Sequence, residues 1–288
     1  MKMIKPIVNI AKIIDGYNTV ITGFNGVLSD GYSIYPDALT ALINMRKKGM
    51  KIVLISNTSA RVASLARFLH KNKVPLGLFD NIVTAGEILH FRLKKPTPKY
   101  SALGNKYFHI GNDSDKGVFS GLGFEAVSEL GKADFMYMSA VSKSDDIIEK
   151  YRPVLEQAVA LKLPFVCAGN DSSCYMEGKI SLAPAAFAEQ YAVLGGQIIT
   201  LGKPDINVIN YALEGIENID LSKALFIGDN LAVDIKSATS INVSSILISK
   251  GVHINYLGEG YIPDVAKTRE LAANFNAYPD YVISNLRW

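Results

Sequence analysis

Short apolar runs alternate with predicted helices at both ends of the chain, and this alternation predicts the secondary structure. Residues 51–55 (KIVLI) and 224–227 (ALFI) are almost continuously apolar, which is typical of strands buried on both faces of a parallel sheet. Val20 and Ile21 end an earlier run of the same kind. Pro36 and Gly49 delimit a helix predicted over residues 35–48. The order strand, helix, strand predicts an α/β fold.

The loop after the first strand, residues 22–28 (TGFNGVL), has the position of an active-site loop. Gly26 lets the chain turn sharply at the carboxyl end of the strand, and open α/β sheets usually bind ligands at that edge. A strand ending in Gly-x-x-Gly is more often only a turn. The loop is therefore informative only together with other polar loops at the same edge.

Two further loops carry groups suited to phosphate. Ser56 and Asn57 follow the strand at 51–55, where they can cap the next helix and offer hydroxyl and amide donors. Lys203 precedes Pro204, which is expected in the first turn of a helix running to about residue 213. A lone lysine before a helix is commonly a solvated surface charge, so its role depends on the surrounding pattern.

A pair of carboxylates follows the strand at 224–227. Asp229 and Asp234 bracket a turn, and hard oxygen ligands on such a loop are what Mg²⁺ accepts. An aspartate at the start of a helix is more often only a cap.

Taken in this order, the four elements resemble the haloacid dehalogenase (HAD) superfamily. The sequence GDNLAVDI at residues 228–235 is similar to that of its class IIA phosphatases, and the resemblance spans roughly residues 14–249, with TAGE at 84–87 also matching. The family pattern in the first loop is Asp-x-Asp-Gly-Val-Leu. Its first aspartate attacks phosphorus and its second exchanges a proton with the leaving group. Here Gly23 and Asn25 occupy those two positions.

The resemblance implies roles for the remaining residues. Ser56 and Asn57 would contact the transferred phosphoryl group, Lys203 would neutralise it, and Asp229 and Asp234 would hold Mg²⁺ directly or through water. Mg²⁺ is thus the implied cofactor. Its binding is expected to be weak, because two of the roughly four carboxylates of a complete site are missing. The expected ligand is inorganic phosphate or a small phosphorylated molecule.

The fold class implied is α/β, with a Rossmann-like parallel-sheet core and an inserted α/β cap of class IIA. We predict core residues 1–96 and 197–288 and cap residues 97–196. Within the cap, residues 107–110, 135–138 and 164–167 are predicted strands and 142–163 a helix, broken or kinked at Pro153. Asn170 and Asp171 lie in the cap loop that faces the core in the family. They are equally consistent with a simple Asn-Asp turn.

The missing acids define the functional hypothesis. Glycine offers no nucleophile, and Asn25 cannot exchange a proton near neutral pH. Thr22 should point to the opposite face of the strand, and Asp30 lies beyond the turn. We expect a phosphatase-like protein that is catalytically impaired. The alternatives are an active Mg²⁺-dependent phosphomonoester hydrolase with a rearranged nucleophile and a non-catalytic structural or partner-binding protein.

Composition restricts the expected partners and cellular location of the protein. The 30 basic and 27 acidic residues are interspersed and give a net charge of +3, so no nucleic-acid partner is indicated. No segment is long and apolar enough for a membrane span, and Cys167 and Cys174 lack metal or redox spacing, which favours a reduced, cytoplasmic protein. Asp113 and Asp115 are predicted in a polar turn rather than a Ca²⁺ loop. A homodimer is one assembly that the sequence leaves open.

Overall fold

The computed structural model describes residues 3–111, 117–139 and 147–288. The strands are β1 (Lys5–Pro6), β2 (Thr19–Thr22), β3 (Lys51–Ser56), β4 (Asn81–Thr84), β5 (Lys106–Ile110), β6 (Glu125–Val127), β7 (Phe135–Met138), β8 (Phe165–Ala168), β9 (Ser173–Met176), β10 (Lys179–Leu182), β11 (Ile198–Leu201), β12 (Ala224–Gly228), β13 (Ser244–Ile248) and β14 (Tyr281–Ile283). The helices are α1 (Pro36–Lys47), α2 (Val62–Lys71), α3 (Ala85–Lys94), α4 (Pro98–Ser101), α5 (Ile148–Ala160), α6 (Pro184–Val193), α7 (Ile206–Leu213), α8 (Lys236–Ser240), α9 (Ile254–Leu257) and α10 (Val265–Phe275). Among the residues that the structure describes, no helix has both the length and the apolar character that crossing a membrane requires.

The larger sheet has seven parallel strands in the order β1-β14-β13-β12-β2-β3-β4. β2 lies in the interior, between β12 and β3, and all four of its residues are buried. This explains its continuously apolar or small sequence, because a central parallel strand is covered on both faces. The carboxyl ends of β2, β3 and β12 therefore meet at one edge. The predicted Rossmann-like α/β core is confirmed.

The cap contains a five-stranded parallel sheet in the order β11-β8-β7-β5-β6 and a separate antiparallel hairpin of β9 and β10. The predicted strands at 107–110, 135–138 and 164–167 correspond to β5, β7 and β8. β11 hydrogen-bonds with β8, so residues 198–201 belong to the cap sheet. The predicted boundary between cap and core at residue 197 assigned this strand to the core, in contrast to the observed pairing. The return to the larger sheet begins after Leu201.

Two helices differ from their predicted form. α5 continues through Pro153 from Ile148 to Ala160, so the proline does not break it; residues 142–146, the predicted start, lie outside the described residues, as do Asp113 and Asp115. α7 begins at Ile206, with the Asp205 side chain accepting a hydrogen bond from the N–H of Asn207 as its N-cap. Pro204 therefore precedes the helix rather than forming its first turn, because the Asp205 cap sets the helix start.

The core and the cap share one hydrophobic cluster. Val53 of the larger sheet and Tyr137 and Val166 of the cap sheet are fully buried in it, and α3 contacts both β8 and β11. A polar contact lies beside this cluster, where the Ser59 hydroxyl is within 2.6 Å of the carbonyl oxygen of Ser139 and 3.0 Å of that of Ala168. The cap is therefore packed directly on the core, above the edge where β2, β3 and β12 end.

Candidate active site

A cavity of about 770 Å³ lies between the carboxyl edge of the larger sheet and the cap. It brings together most of the residues singled out from the sequence, which lie at the carboxyl ends of β2, β3, β8, β11 and β12 or in the loops that follow them. These lining residues are Gly23, Asn25, Ser56, Asn57, Asp171, Lys203, Asp229 and Asp234. Asn170 is not among the lining residues, although its neighbours in sequence, Gly169 and Asp171, are.

The first loop presents no carboxylate to the cavity. The N–H of Gly23 donates to the carbonyl oxygen of Ile227 at 2.8 Å, which fixes the loop to β12. Gly23 is not in the left-handed region, and a Cβ built on it would lie 3.3 Å from Cγ2 of Val27 and 3.6 Å from Oδ1 of Asp234. Gly26 is constrained differently. Its φ is +72°, and a Cβ there would collide with the carboxylate of Asp229.

Lys203 and Asp234 form a buried ion pair at the floor of the cavity. Nζ of Lys203 lies 2.6 Å from Oδ1 of Asp234, and the two side chains keep 5% and 4% of their surface exposed. Oδ2 of Asp234 accepts hydrogen bonds from the backbone N–H groups of Asp229 and Asn230, both at 3.1 Å. Both oxygens of Asp234 are thus engaged, and Lys203 is not the solvated surface lysine considered in the sequence analysis.

Two other carboxylates are close to this pair. Oδ2 of Asp229 accepts from the N–H of Val252 at 2.8 Å, and burial, reinforced by the charge of Asp234, raises the Asp229 pKa well above its usual value. Oδ1 of Asp171 accepts from the side-chain amide of Asn230 at 2.9 Å. Asp171 retains some accessible surface, yet it lies deep among protein atoms, and this burial raises its pKa against the opposing effect of Lys203.

Asn57 has a role that the motif did not reveal. Its Oδ1 accepts from the backbone N–H of Lys203 at 2.7 Å, and its Nδ2 donates to the backbone oxygen of the same residue at 3.1 Å. The predicted contact of Asn57 with phosphate would have to come from its backbone, because its side chain holds Lys203 in place. Ser56 is 4% exposed and its Oγ accepts from the N–H of Thr58 at 3.3 Å.

The cap loop that contains Asn170 and Asp171 also contacts the segment that carries Lys203. Nδ2 of Asn170 donates to the backbone oxygens of Gly202 and Lys203, at 3.0 and 3.1 Å. Gly169 has a φ of +108°, and a Cβ there would collide with the backbone oxygen of Asn57. The loop is therefore more than a solvent-facing turn: Asn170 fixes the chain that carries Lys203, while Asp171 faces the cavity.

Sequence reasoning missed the upper wall of the cavity. Apolar and aromatic side chains from α2, the first loop and the cap hairpin line it: Phe24, Leu65, Phe68, Tyr175, Met176 and Leu182. The rings of Phe24 and Phe68 meet edge to face, with centroids 5.6 Å apart. The sequence signal that could have predicted this hairpin is the pair of short strand-like segments on either side of Glu177-Gly178. These two residues have φ of 49° and 78° and form the hairpin turn.

The donor set does not fit a complete Mg²⁺ site. Gly23 supplies no ligand, Asp234 is committed to Lys203 and two backbone amides, and Asp229 already accepts from Val252. Across residues 3–111, 117–139 and 147–288, no group of three or more His, Cys, Asp or Glu side chains is arranged to hold a metal ion. Weak binding of Mg²⁺ stays a prediction from the sequence.

Comparisons with known proteins agree with this geometry. Residues 20–125 match the family model for haloacid dehalogenase-like hydrolases, and residues 200–288 match a second model described as HAD-hydrolase-like. The 4-nitrophenylphosphatase of Schizosaccharomyces pombe is 24% identical over 275 residues, covering 84% of this chain and 86% of that protein.

Solved structures share the whole architecture. A haloacid dehalogenase-like hydrolase from Brucella suis has a TM-score of 0.80 and 25% identity, with 96% of this chain and 98% of that chain covered. A glycerol phosphate phosphatase from Mycobacterium tuberculosis in complex with magnesium has a TM-score of 0.60 at 17% identity, with 83% and 70% covered, and shows the fold alone. By its sheet order, its clustered loops and both family models, this chain belongs to the haloacid dehalogenase superfamily.

Proposed function

We propose that this protein binds inorganic phosphate or a small phosphorylated molecule in its cavity and has lost most of the phosphatase activity of its family. The observation that carries the proposal is Gly23, which stands at the end of β2 beside the Lys203–Asp234 pair without a side chain. The name of the S. pombe relative, a 4-nitrophenylphosphatase, supports a small phosphate ester as the type of ligand.

The described neighbours of Gly23 do not replace the missing nucleophile. The Thr22 hydroxyl donates to the backbone oxygen of Gly23 at 3.0 Å and is fully buried. Oδ1 of Asp30 accepts from the backbone N–H groups of Tyr32 and Ser33, at 2.9 and 2.7 Å, which commits it to a local turn. Burial raises the pKa of the Cys174 thiol to about 12, so it is not a thiolate near neutral pH. Loss of a covalent catalytic unit lowers rates by about 10⁴ to 10⁶.

The anion-binding part of the site is largely intact. Lys203 brings an ammonium group to the cavity, and the hydroxyl of Ser56 and the loop amides after β3 are donors suited to phosphate oxygens. The absence of a carboxylate at Gly23 removes negative charge that would repel an anion. A tetrahedral oxyanion is therefore the ligand that this floor accommodates best.

Isothermal titration of the protein with inorganic phosphate, in EDTA and again in Mg²⁺, tests the proposal. We expect binding in both buffers, and phosphate at one hundred times its dissociation constant should add about 2.7 kcal/mol to the free energy of unfolding. If phosphate binds in neither buffer, the structural or partner-binding alternative is the better account. Binding that occurs only with Mg²⁺ would favour the active hydrolase with a rearranged nucleophile.

A further inference from the structure

The five-stranded sheet of the cap is joined to the core by buried contacts. Ser59 of the core is 4% exposed, and its hydroxyl lies within hydrogen-bond distance of the carbonyl oxygens of Ser139, after β7, and Ala168, at the end of β8. Ala168 also belongs to the hydrophobic cluster that core and cap share. At Gly202, after β11, an added Cβ would lie 2.6 Å from Oδ1 of Asn57. Rotation of the whole cap would therefore break several buried interactions at once.

The hairpin of β9 and β10 is attached to the core much more lightly. It forms a sheet of its own, and Ser181 alone among its strand residues is buried. Between described residues, a single hydrogen bond joins it to the core, from the N–H of Glu177 at its tip to the carbonyl oxygen of Asp30 at 2.9 Å. Met176 packs against Gly31, where an added Cβ would lie 3.2 Å from its Cε, and remains 38% exposed. A segment with so few buried contacts opens at a low free energy.

We propose that this hairpin is the gate of the cavity and that it lifts from the core loop at residues 30–31 while the five-stranded cap sheet stays in place on the core. Residues 173–177 line the cavity, so lifting them uncovers it. Opening breaks one hydrogen bond and one methionine contact, whereas separation of the cap from the core breaks the buried contacts of Ser59 and Asn57. Access by this route does not depend on which ligand the cavity binds.

The base of the hairpin is the fixed end of this motion. The N–H of Ala183 donates to the carbonyl oxygen of Ser172 at 3.0 Å, and α6 begins directly afterwards at Pro184. Helix α6 in turn contacts β8 of the cap sheet. Because β9 and β10 are paired along their whole length, the hairpin moves as one unit whose tip travels farthest.

Cys174 on β9 reports opening of the hairpin. It lines the cavity and is half-buried, and burial raises the pKa of its thiol to about 12, so it reacts slowly while the hairpin is closed. Water that reaches the thiol when the hairpin opens favours the reactive thiolate. Cys167 is fully buried in β8 and reports disruption of the cap sheet itself.

The first test follows thiol labelling of the protein without ligand, so its result is independent of phosphate binding. Labelling of each cysteine by N-ethylmaleimide at pH 8 is measured by mass spectrometry in wild type, Met176→Ala and the control Lys179→Ala. Lys179 is the exposed cross-strand partner of Met176. We expect labelling of Cys174 about fivefold faster in Met176→Ala, as loss of one partly buried methionine contact allows, and within about twofold of wild type in the control. Cys167 should stay unlabelled in all three proteins.

Hydrogen exchange measured by mass spectrometry distinguishes a moving hairpin from an entrance that is merely wider, because it needs no bulky reagent. Residues 173–182 should exchange faster than residues 56–60 and 198–203, and Met176→Ala should accelerate exchange of the hairpin alone. Exchange of the three segments at one rate, or labelling of both cysteines together, would overturn the gate, since the cap would then open as a whole. Hairpin exchange at the wild-type rate in Met176→Ala, or equal effects of Met176→Ala and Lys179→Ala, would overturn it as well.

Discussion

Nζ of Lys203 lies 2.6 Å from Oδ1 of Asp234, and this contact joins two separate segments of the chain at the floor of the cavity. Lys203 lies between the cap strand β11 and helix α7, whereas Asp234 follows the core strand β12. Gly23 offers no carboxylate, and Asp234 is the acidic group paired with this lysine. The opposite charges of Lys203 and Asp234 therefore neutralise each other, and both acids of the first loop are absent.

Replacing Lys203 should destabilise the fold strongly. In Lys203→Met, Asp234 stays buried without its cation, which typically lowers the free energy of unfolding by about 3–5 kcal/mol. Urea unfolding at pH 7 measures the change. The matched control is Lys132→Met, which removes the exposed pair with Glu129 and should change stability by less than about 1 kcal/mol. Equal effects of the two substitutions would contradict the structural role of the buried pair.

Restoring both acids should restore catalysis. Gly23 is outside the left-handed region, and a Cβ there meets Val27 at 3.3 Å, so aspartate fits after a small shift of one methyl group. In the double variant Gly23→Asp with Asn25→Asp, we expect Mg²⁺-dependent hydrolysis of phosphate esters. Each single variant should do little, since one lacks the proton donor and the other lacks the nucleophile.

The assay for this prediction is steady-state hydrolysis of 4-nitrophenyl phosphate by the four proteins, with circular dichroism to confirm folding. Additive gains from the two single variants would show that the residues do not act as a unit. A folded double variant without activity on several classes of phosphate ester would show that the rest of the pocket has also diverged, and would favour the partner-binding alternative.

Asn57→Ala should weaken phosphate binding by releasing Lys203. The substitution removes two hydrogen bonds to the backbone of Lys203 and leaves its buried N–H without that partner, which lowers stability by about 1–3 kcal/mol. The affinity for phosphate should fall even though the side chain of Asn57 does not bind the phosphate itself, because its hydrogen bonds hold Lys203 in place. Asn207→Ala, at an exposed position of α7, is the control. An unchanged phosphate affinity in Asn57→Ala would contradict this positioning role.

His253 should make the fold sensitive to acid. Its Nε2 accepts from the N–H of Leu231 at 3.1 Å, and burial lowers its pKa from 6.5 to about 4 in the folded protein, against a small opposing effect of Asp234. As the pH falls below 6.5, the unfolded chain takes up a proton before the folded one does, so the free energy of unfolding decreases between pH 6.5 and 4.

The test compares urea unfolding of wild type and His253→Gln at pH 7.5 and pH 4.5. Wild type should lose more stability than the variant on acidification. The comparison isolates His253, because the raised pKa of Asp229 acts in the opposite direction and is common to both proteins. An equal loss in both proteins would contradict the assignment.

Much of the fold could be predicted from the sequence because its strands are continuous apolar runs. Helix α1, with Pro36 at its first position, also agrees with its predicted bounds to within a residue at each end. The cap boundary was misplaced because Ile198 and Ile199 fit a buried strand of either sheet, and only the pairing with β8 decides between them. Pro153 is tolerated inside α5, which shows tertiary packing overriding a local preference.

The site was predicted to the level of loops rather than contacts. Motif positions placed Lys203 and Asp234 in one pocket, and their direct pairing follows from distances that no spacing rule contains. Asn57 was predicted to contact phosphate, and its side-chain hydrogen bonds to Lys203 were missed because the pattern records residue types but not hydrogen-bond partners. Phe24 and Phe68 were missed because their positions in the cavity wall arise from the way the cap hairpin packs over α2 and the first loop.

The measurement that tests the central claim most directly is turnover of phosphate esters by the wild-type protein in Mg²⁺. The account predicts hydrolysis of 4-nitrophenyl phosphate and common metabolite phosphates no faster than background, although phosphate binds. Turnover above about 1 s⁻¹, an ordinary value for an enzyme, that disappears in Asp229→Ala purified in the same way would contradict it.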